Sequence, residues 1–424
     1  KSDDLYALRM GKLNKVGTKK GDFTAFPHSA KMTIDHNQER EEVFEEGWMA
    51  IKNGFYDPNF HGQDWKALHD KYKPLAMAAS TDQDFRYIFN LMLGQLNASH
   101  MGMYGSNPEN TIKERTGRLG IEVKPSKKGL VVNHVVMNSP ADRSQSKINI
   151  GDIILEVNGE QMGENSNFYE FFQDESNNEV LMKLKSKDGS EREIAIRPSR
   201  SLGNLLYEEW VRERKRLVEE YSGGRLGYIH IQGMNFPSFE RFERELTASG
   251  LGKEGIVIDV RFNGGGWTTD YLMAVLNVKQ HAYTVPRGAA ENLEKENEKF
   301  KEYYPYSERL PLASWTKPSI AMCNESSYSN AEIFSHAYKS LGIGSLVGMP
   351  TFGAVISTGG KGLLDGSFIR MPFRAWYVKS SGMNMENGPA VPDVVLENAP
   401  DDRANEKDSQ LKKAVEVLLQ QIDN

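Results

Sequence analysis

The chain has 424 residues, too many for one ordinary hydrophobic core, so two to four domains are expected. Hydrophobic and charged fractions of 39% and 26% are those of a globular protein. A formal net charge of −6, with no run of Lys and Arg, gives no basic footprint for nucleic acid.

The single cysteine, Cys323, leaves no intramolecular disulfide and no all-cysteine metal site, and its apolar surroundings mark it as a small core residue. Nine scattered histidines, with no HExxH and no close helical pair, give no zinc ligand set. No stretch is long and apolar enough to span a bilayer, and no signal peptide opens the chain, which starts on Lys1 without a methionine. Cytoplasmic placement is the expectation, with a periplasmic one kept open by that abrupt start.

Residues 1–35 read as short strands and turns, such as Asp4 to Arg9, with too little apolar surface to fold alone. Residues 36–111 read as a helical domain. Phe44, Trp48, Ile51 and Phe55 fall at i, i+4, i+7 and i+11 on one helix face. Phe85, Ile88, Phe89, Met92 and Leu96 form a second stripe, with Asp82 or Asp84 as its cap. Both stripes are assigned to core. The second helix ends at Asn97-Ala98-Ser99-His100-Met101-Gly102, which puts Ser99 and His100 on an exit turn.

Residues 112–200 change to short β-branched runs with turn signals and one short helix. Ser139 as N-cap and Pro140 at the first helical position mark that helix. Ile150 to Gly159 reads as a strand closed by an Asn-Gly turn. The order of a GLGI-like loop (Gly117 to Ile121), Ser139-Pro140-Ala141 and Gly151-Asp152-x-Ile-x-x-Val157-Asn158-Gly159 resembles a PDZ domain. That resemblance implies peptide binding by strand addition, with the N–H groups of Arg118, Leu119, Gly120 and Ile121 on a terminal carboxylate.

Residues 201–424 read as a parallel α/β domain. Leu226 to Ile231 and Gly255 to Val260 are strands flanking a helix that starts near Ser238. Residues 289–304, dense in Glu and Lys, read as a solvated helix or insertion. Two segments stand out. Asp259-Val260-Arg261-Phe262-Asn263-Gly264-Gly265-Gly266 runs a buried strand into three glycines, which let backbone N–H groups point at a ligand. A phosphate loop is the competing reading, but Trp267-Thr268-Thr269 follows the glycines in place of a Lys-Ser/Thr pair; an oxyanion hole needs no lysine. Asn324-Glu325-Ser326-Ser327-Tyr328-Ser329-Asn330-Ala331-Glu332-Ile333-Phe334 carries a strand (Pro318 to Cys323) through a serine-rich turn into a helix. Ser329 there is either a plain N-cap or an acyl-transfer nucleophile placed where the helix N-terminus favours developing negative charge.

Taken in order, Ser99-His100, the PDZ-like insert, the Asn263-Gly264-Gly265-Gly266 exit, the Ser326-x-x-Ser329-x-Ala331-Glu332-Ile333 turn and Glu386-Asn387…Pro392-Asp393 resemble the tricorn-type serine proteases, relatives of the C-terminal-processing proteases. The resemblance runs from about Thr33 to the C-terminus. It implies a crotonase/ClpP-like α/β catalytic domain (201–424), an N-terminal helical domain (36–111) and an inserted PDZ domain (112–200), with residues 1–35 as the last strands of a preceding propeller.

By position, the resemblance implies Ser329 as nucleophile, His100 as general base, Ser99 as its orienting partner and Glu386 as support for Ser99. The oxyanion would be held by the Asn330 N–H and a glycine of the 264–266 run, Gly265 in preference to Gly264. Departures from the family pattern are Asn330, where an acidic residue is expected, and Pro389, where glycine is usual and whose presence could displace Glu386. The implied function is cleavage of oligopeptides or unfolded chains through an acyl-enzyme. No metal or organic cofactor, no nucleic acid and no membrane insertion are implied, and self-association into a homo-oligomer is. The rival readings are a non-catalytic PDZ-type peptide-binding scaffold and an esterase or thioesterase. For pocket lining, His281, Arg287, Arg374 and Asp365 are charged candidates that the sequence does not rank.

Overall fold

The computed structural model describes residues 5–9, 11–26, 31–105, 115–173, 178–301 and 312–424. Asp4, residues 302–304 of the Glu/Lys-rich stretch and the 111/112 domain boundary lie outside the described residues. The chain divides into two compact units. One comprises Lys1–Leu96, Gly102–Ser106 and Gly360–Arg370, the other Asn97–Met101, Asn107–Gly359 and Met371–Asn424.

In the smaller unit, β1 (Leu5–Arg9), β2 (Lys12–Val16) and β3 (Phe23–Ala25) form an antiparallel sheet whose outer strands bury nothing. Three helices carry the core: α1 (His36–Gly54), α2 (Trp65–Met77) and α3 (Asp82–Gly94). Asp35 caps α1 by accepting the Asn37 and Gln38 N–H groups. The expected stripe is buried on its inner face at Phe44, Trp48 and Ile51, and Phe55 lies just past the helix end. On α3, Phe85, Phe89 and Met92 are buried while Ile88 is only half-buried. Its cap is Thr81, whose hydroxyl accepts the Asp84 N–H, and not Asp82 or Asp84, which sit in the first turn where acidic side chains suit the helix dipole. β4 (Gly102–Tyr104) pairs antiparallel with Phe368–Arg370.

The larger unit holds two layers of different character. β5 (Ile121–Ser126), β6 (Gly129–Val135), β7 (Ile153–Val157), β8 (Glu160–Gln161), β9 (Val180–Lys185) and β10 (Glu191–Ile196) form a sheet in the order β10-β9-β7-β6-β5, with β8 on β7. Asn158 and Gly159, both at positive φ, make the expected two-residue turn from β7 to β8. The expected helix at Ser139 is a 3-10 turn, Pro140–Asp142. Ser139 does not cap it; the Asp142 carboxylate instead accepts the Asn138 N–H at 2.7 Å.

The second layer is a five-stranded parallel sheet in sequential order: β11 (Leu226–His230), β12 (Gly255–Asp259), β13 (Ser319–Cys323), β14 (Leu346–Gly348) and β15 (Val394–Val395). Alternate side chains leave opposite faces, as strand geometry requires. Ile256, Ile258, Ala321 and Cys323 join the core under α5 (Phe236–Gly250), α6 (Thr269–Leu276) and α8 (Asn330–Ser340). Val257, Ile320 and Met322 join the core under α4 (Gly203–Ser222) and α9 (Ser409–Asp423). Burial on both faces explains why these strands read as continuous apolar runs. Cys323 is fully buried and its thiol is pushed up to about 12, so it is core. Between α6 and β13, the Glu/Lys-rich stretch forms a short helix, α7 (Leu293–Glu296), and a 3-10 turn with no buried residue.

One polar cluster sits inside this apolar layer. Arg261, 1% exposed, donates from Nε and Nη2 to Asp259 and from Nη1 and Nη2 to the two Asp408 oxygens, and Nη1 also reaches Gln410. Burial opposes the Arg261 charge, but the two carboxylates outweigh it and hold its pKa well above the ordinary value. Burial likewise pushes Asp408 up, and the Arg261 charge and hydrogen bonds outweigh it, so the Asp408 carboxyl stays below its usual range. Removing the cation alone would strip the buried Asp259 of its ion pair and leave Asp408 with Arg214 at 3.4 Å. Arg261→Met is therefore expected to lower unfolding free energy by about 3–5 kcal/mol in urea titrations. An unmoved transition would mean that the cluster contributes nothing to folding.

Candidate active site

Residues Asn97–Met101, which follow α3, belong to the larger unit. There His100, with φ of 60°, is 9% exposed, and its Nε2 lies 2.9 Å from Ser329 Oγ across 229 residues of sequence. His100 Nδ1 lies 2.7 Å from Ser99 Oγ. Glu386 completes the chain: its Oε1 accepts the Ser99 N–H at 2.6 Å and its Oε2 accepts the Ser99 hydroxyl at 2.9 Å. Pro389 does not displace Glu386, which remains buried and bonded to Ser99.

These contacts fix the protons. The only hydrogen on Ser99 Oγ goes to Glu386, so that oxygen must accept from His100 Nδ1–H. Nε2 then bears the lone pair and accepts the Ser329 hydroxyl. In this arrangement Glu386 holds Ser99, Ser99 accepts at Nδ1, and the Nε2 lone pair faces the Ser329 hydroxyl.

Ser329 stands at the N-cap position of α8 with φ of 58° and ψ of −118°, a region that L-residues rarely adopt. Glu332 holds it there. This carboxylate, fully buried, accepts the Ser329 N–H at 2.9 Å, the Thr351 hydroxyl at 2.8 Å and the Ala354 N–H at 2.9 Å, with Gly353 N–H as a further donor. Burial pushes its pKa up, against the pull of those donors.

The 263–266 segment is tied on two sides. Tyr328 N–H donates to Asn263 O at 2.9 Å, and Met234 N–H donates to Gly265 O at 3.0 Å. A side chain on Gly265 would stand 2.7 Å from Ser329 Cβ and 2.9 Å from Asn330 N, so only glycine permits this approach. The Gly265 N–H itself donates to Asn263 Oδ1 at 2.9 Å. Among the described residues, the N–H groups of Gly264 and Asn330 have no protein acceptor. The Asn330 side chain is turned to α6, where its Oδ1 accepts the Thr269 N–H at 3.0 Å.

The other anticipated residues lie elsewhere. In the PDZ-like loop Arg118 N–H donates to Ser199 O at 2.8 Å, which takes it from any carboxylate, and Ile121 is paired with Val135 in β5. The Leu119 and Gly120 N–H groups have no acceptor among the described residues. His281, Arg287, Arg374 and Asp365 are all exposed; Asp365 accepts from Ser367, and Arg374 lies over the Phe373 ring. Sequence reasoning quoted Tyr328, Asn263 and Glu332 within its motifs but gave none of them a role of its own. The last was legible in principle, since a glutamate three residues past an N-cap serine is a capping signal.

Residues 36–94 match the model of the tricorn protease C1 domain, residues 117–193 the PDZ domain and residues 225–396 peptidase family S41. The chain is 28% identical over 392 residues to the tricorn protease of Thermoplasma volcanium, covering 90% of this chain and 36% of that protein. It is 27% identical over 396 residues to the tricorn protease of Thermoplasma acidophilum, covering 92% and 35%. A crystal structure of the tricorn protease superposes with a TM-score of 0.82 at 26% identity, over 98% of this chain and 40% of that one. By these matches the α/β layer is similar to peptidase family S41. The C1, PDZ and S41 matches follow one another along the chain in that order. It spans little more than a third of the length of the curated relatives it matches.

His336 on α8 supports the Glu386 loop, its Nε2–H donating to Gly388 O at 3.1 Å. Burial holds this imidazole below its ordinary value. As pH falls through about 6.5 the unfolded chain therefore takes the proton first, and stability present above that value is lost. His230, buried and shifted the same way, adds to the loss. Between about pH 7.5 and about pH 5, wild type is expected to lose more thermal stability than His336→Gln, whose amide still reaches Gly388 O. Parallel profiles would remove His336 from the acid response.

Proposed function

We propose that the chain hydrolyses peptide bonds in oligopeptides or unfolded polypeptides through an acyl-enzyme on Ser329. The observation that carries this reading is the unbroken run of hydrogen bonds from Ser329 Oγ through His100 and Ser99 to Glu386. A serine hydroxyl is too weakly acidic to attack an amide unless a base removes its proton during attack. His100 Nε2 takes that proton as the Oγ–carbon bond forms, and the imidazolium is stabilised by Ser99 Oγ, itself polarised by Glu386. The tetrahedral intermediate collapses with cleavage of the carbon–nitrogen bond, and Nε2–H supplies the proton to the leaving amine. Water, deprotonated by His100, then attacks the ester and releases the acid and the Ser329 hydroxyl.

The oxyanion is assigned to the Asn330 N–H and one glycine N–H of the 264–266 run, each worth roughly 3–4 kcal/mol of barrier. Gly265 remains the nearer to Ser329, but its N–H must be shared with Asn263 Oδ1; that of Gly264 has no such competitor. The sequential parallel sheet with helices on both faces fits a crotonase/ClpP-like fold for this layer. The PDZ domain is assigned to peptide binding, with Leu119 and Gly120 supplying the carboxylate donors and β5 the edge to which a strand adds. Homo-oligomer assembly belongs to the same proposal.

Treatment with a fluorophosphonate, followed by peptide mapping, tests the mechanism. Wild type is expected to be modified at Ser329. Ser329→Ala and His100→Ala should lower peptide turnover by roughly 10⁴-fold or more. Full turnover by Ser329→Ala would remove the serine mechanism. Peptide binding without labelling or turnover would favour a non-catalytic scaffold.

A further inference from the structure

Tyr328, the residue before Ser329, makes two contacts that the four-residue chain of hydrogen bonds does not use. Its ring stacks on the His100 imidazole, with centroids 4.7 Å apart and planes 20° from parallel. Its hydroxyl lies 3.1 Å from His100 Nδ1, on the same nitrogen that Ser99 Oγ reaches at 2.7 Å. From the other side, Phe352 meets the Tyr328 ring edge-on at 5.1 Å. The backbone is fixed too, through Tyr328 N–H to Asn263 O.

Because the Ser99 hydrogen is committed to Glu386, Nδ1 carries the hydrogen that Ser99 accepts. Tyr328 Oη therefore faces an N–H and acts as a second acceptor. When Nε2 takes the Ser329 proton, the ring becomes a cation. Two oxygens then share the Nδ1–H, and the Tyr328 π-face lies against the positive ring. Both contacts strengthen on protonation, so they favour the transition state over the resting enzyme. The titratable groups about the ring include Tyr328, on its face and at Nδ1, and Glu386, beyond Ser99. Glu332 lies below the Ser329 turn with its oxygens on backbone N–H groups and Thr351.

We infer that Tyr328 is a positioning residue of the peptidase site, which raises the basicity of His100 by accepting at Nδ1 and stacking on the imidazolium. This inference rests on the Ser329–His100 reading given above.

The test is the rate of fluorophosphonate labelling at Ser329 as a function of pH, in wild type, Tyr328→Phe and Tyr328→Leu, with His100→Ala and Ser329→Ala as controls. Tyr328→Phe keeps the stack and removes only the acceptor. The acid limb is expected to move to lower pH, because the imidazolium is less stabilised, while the plateau falls roughly three- to tenfold. Tyr328→Leu, which also loses the stack, should show a larger shift of the same sign. A merely structural role would lower the plateau without moving the limb. An unmoved limb in Tyr328→Phe, with Ser329→Ala unlabelled and His100→Ala inert, overturns the role of Tyr328 and leaves the mechanism standing. Absent labelling of wild-type Ser329, or undiminished labelling in His100→Ala, overturns the mechanism and this role with it.

Discussion

The exit of β12 depends on a guanidinium buried among carboxylates. Arg261 binds Asp259 two residues earlier and Asp408 at the cap of the C-terminal helix, and its own carbonyl accepts from His230 on β11. A cation in that position cannot move without leaving charges unpaired in a low-dielectric interior, so strand end, helix cap and neighbouring strand are locked as one piece. The residues that follow, Phe262 to Gly266, start from that fixed point. Tyr228 adds to the lock by donating its hydroxyl to Asp259, and its burial keeps the phenol protonated.

From the fixed end the chain runs into strain. Phe262, Ser329, His100 and Asn387 all have φ near 60°, a conformation that costs of order 1–3 kcal/mol for an ordinary side chain. Each is held by a bond from elsewhere in the fold. Asn324 Oδ1 takes the Phe262 N–H, Glu332 the Ser329 N–H and Gly353 O the Asn387 N–H. His100 is gripped through its ring, by Ser99 and Tyr328. At these four positions the strained backbone sets the direction of a side chain or of the turn that carries it.

Electrostatics in the interior turn on a contest between burial, which opposes charge, and the neighbours that favour it. Arg261 stays charged between two carboxylates, His336 stays neutral against a carbonyl, and Glu332 is pushed toward its neutral form despite a ring of donors. In the proton chain from Glu386 to Ser329, the donor count on Ser99 dictates which imidazole nitrogen bears hydrogen.

Much of this was legible in the sequence. Strands flanking a helix announced a parallel sheet, because parallel neighbours need a crossover connection. Three glycines after Asn263 marked a close backbone approach, and Ser99, His100, Ser329 and Glu386 could be named by resemblance. What the chain could not disclose alone was distance and direction. That His100 and Ser329, far apart in sequence, lie within a hydrogen bond is decided by tertiary packing. So is the fate of single N–H groups: Gly265 turns its own to Asn263, and Arg118 turns its own to Ser199, although both loops looked open. Tyr328 read as a turn residue and became a partner of His100 only when the turn was folded over the ring. Local pattern determines which residues form strands, caps and turns, because those depend on neighbours along the chain. The pairing of donors with acceptors is decided by groups that meet only after the layers have packed.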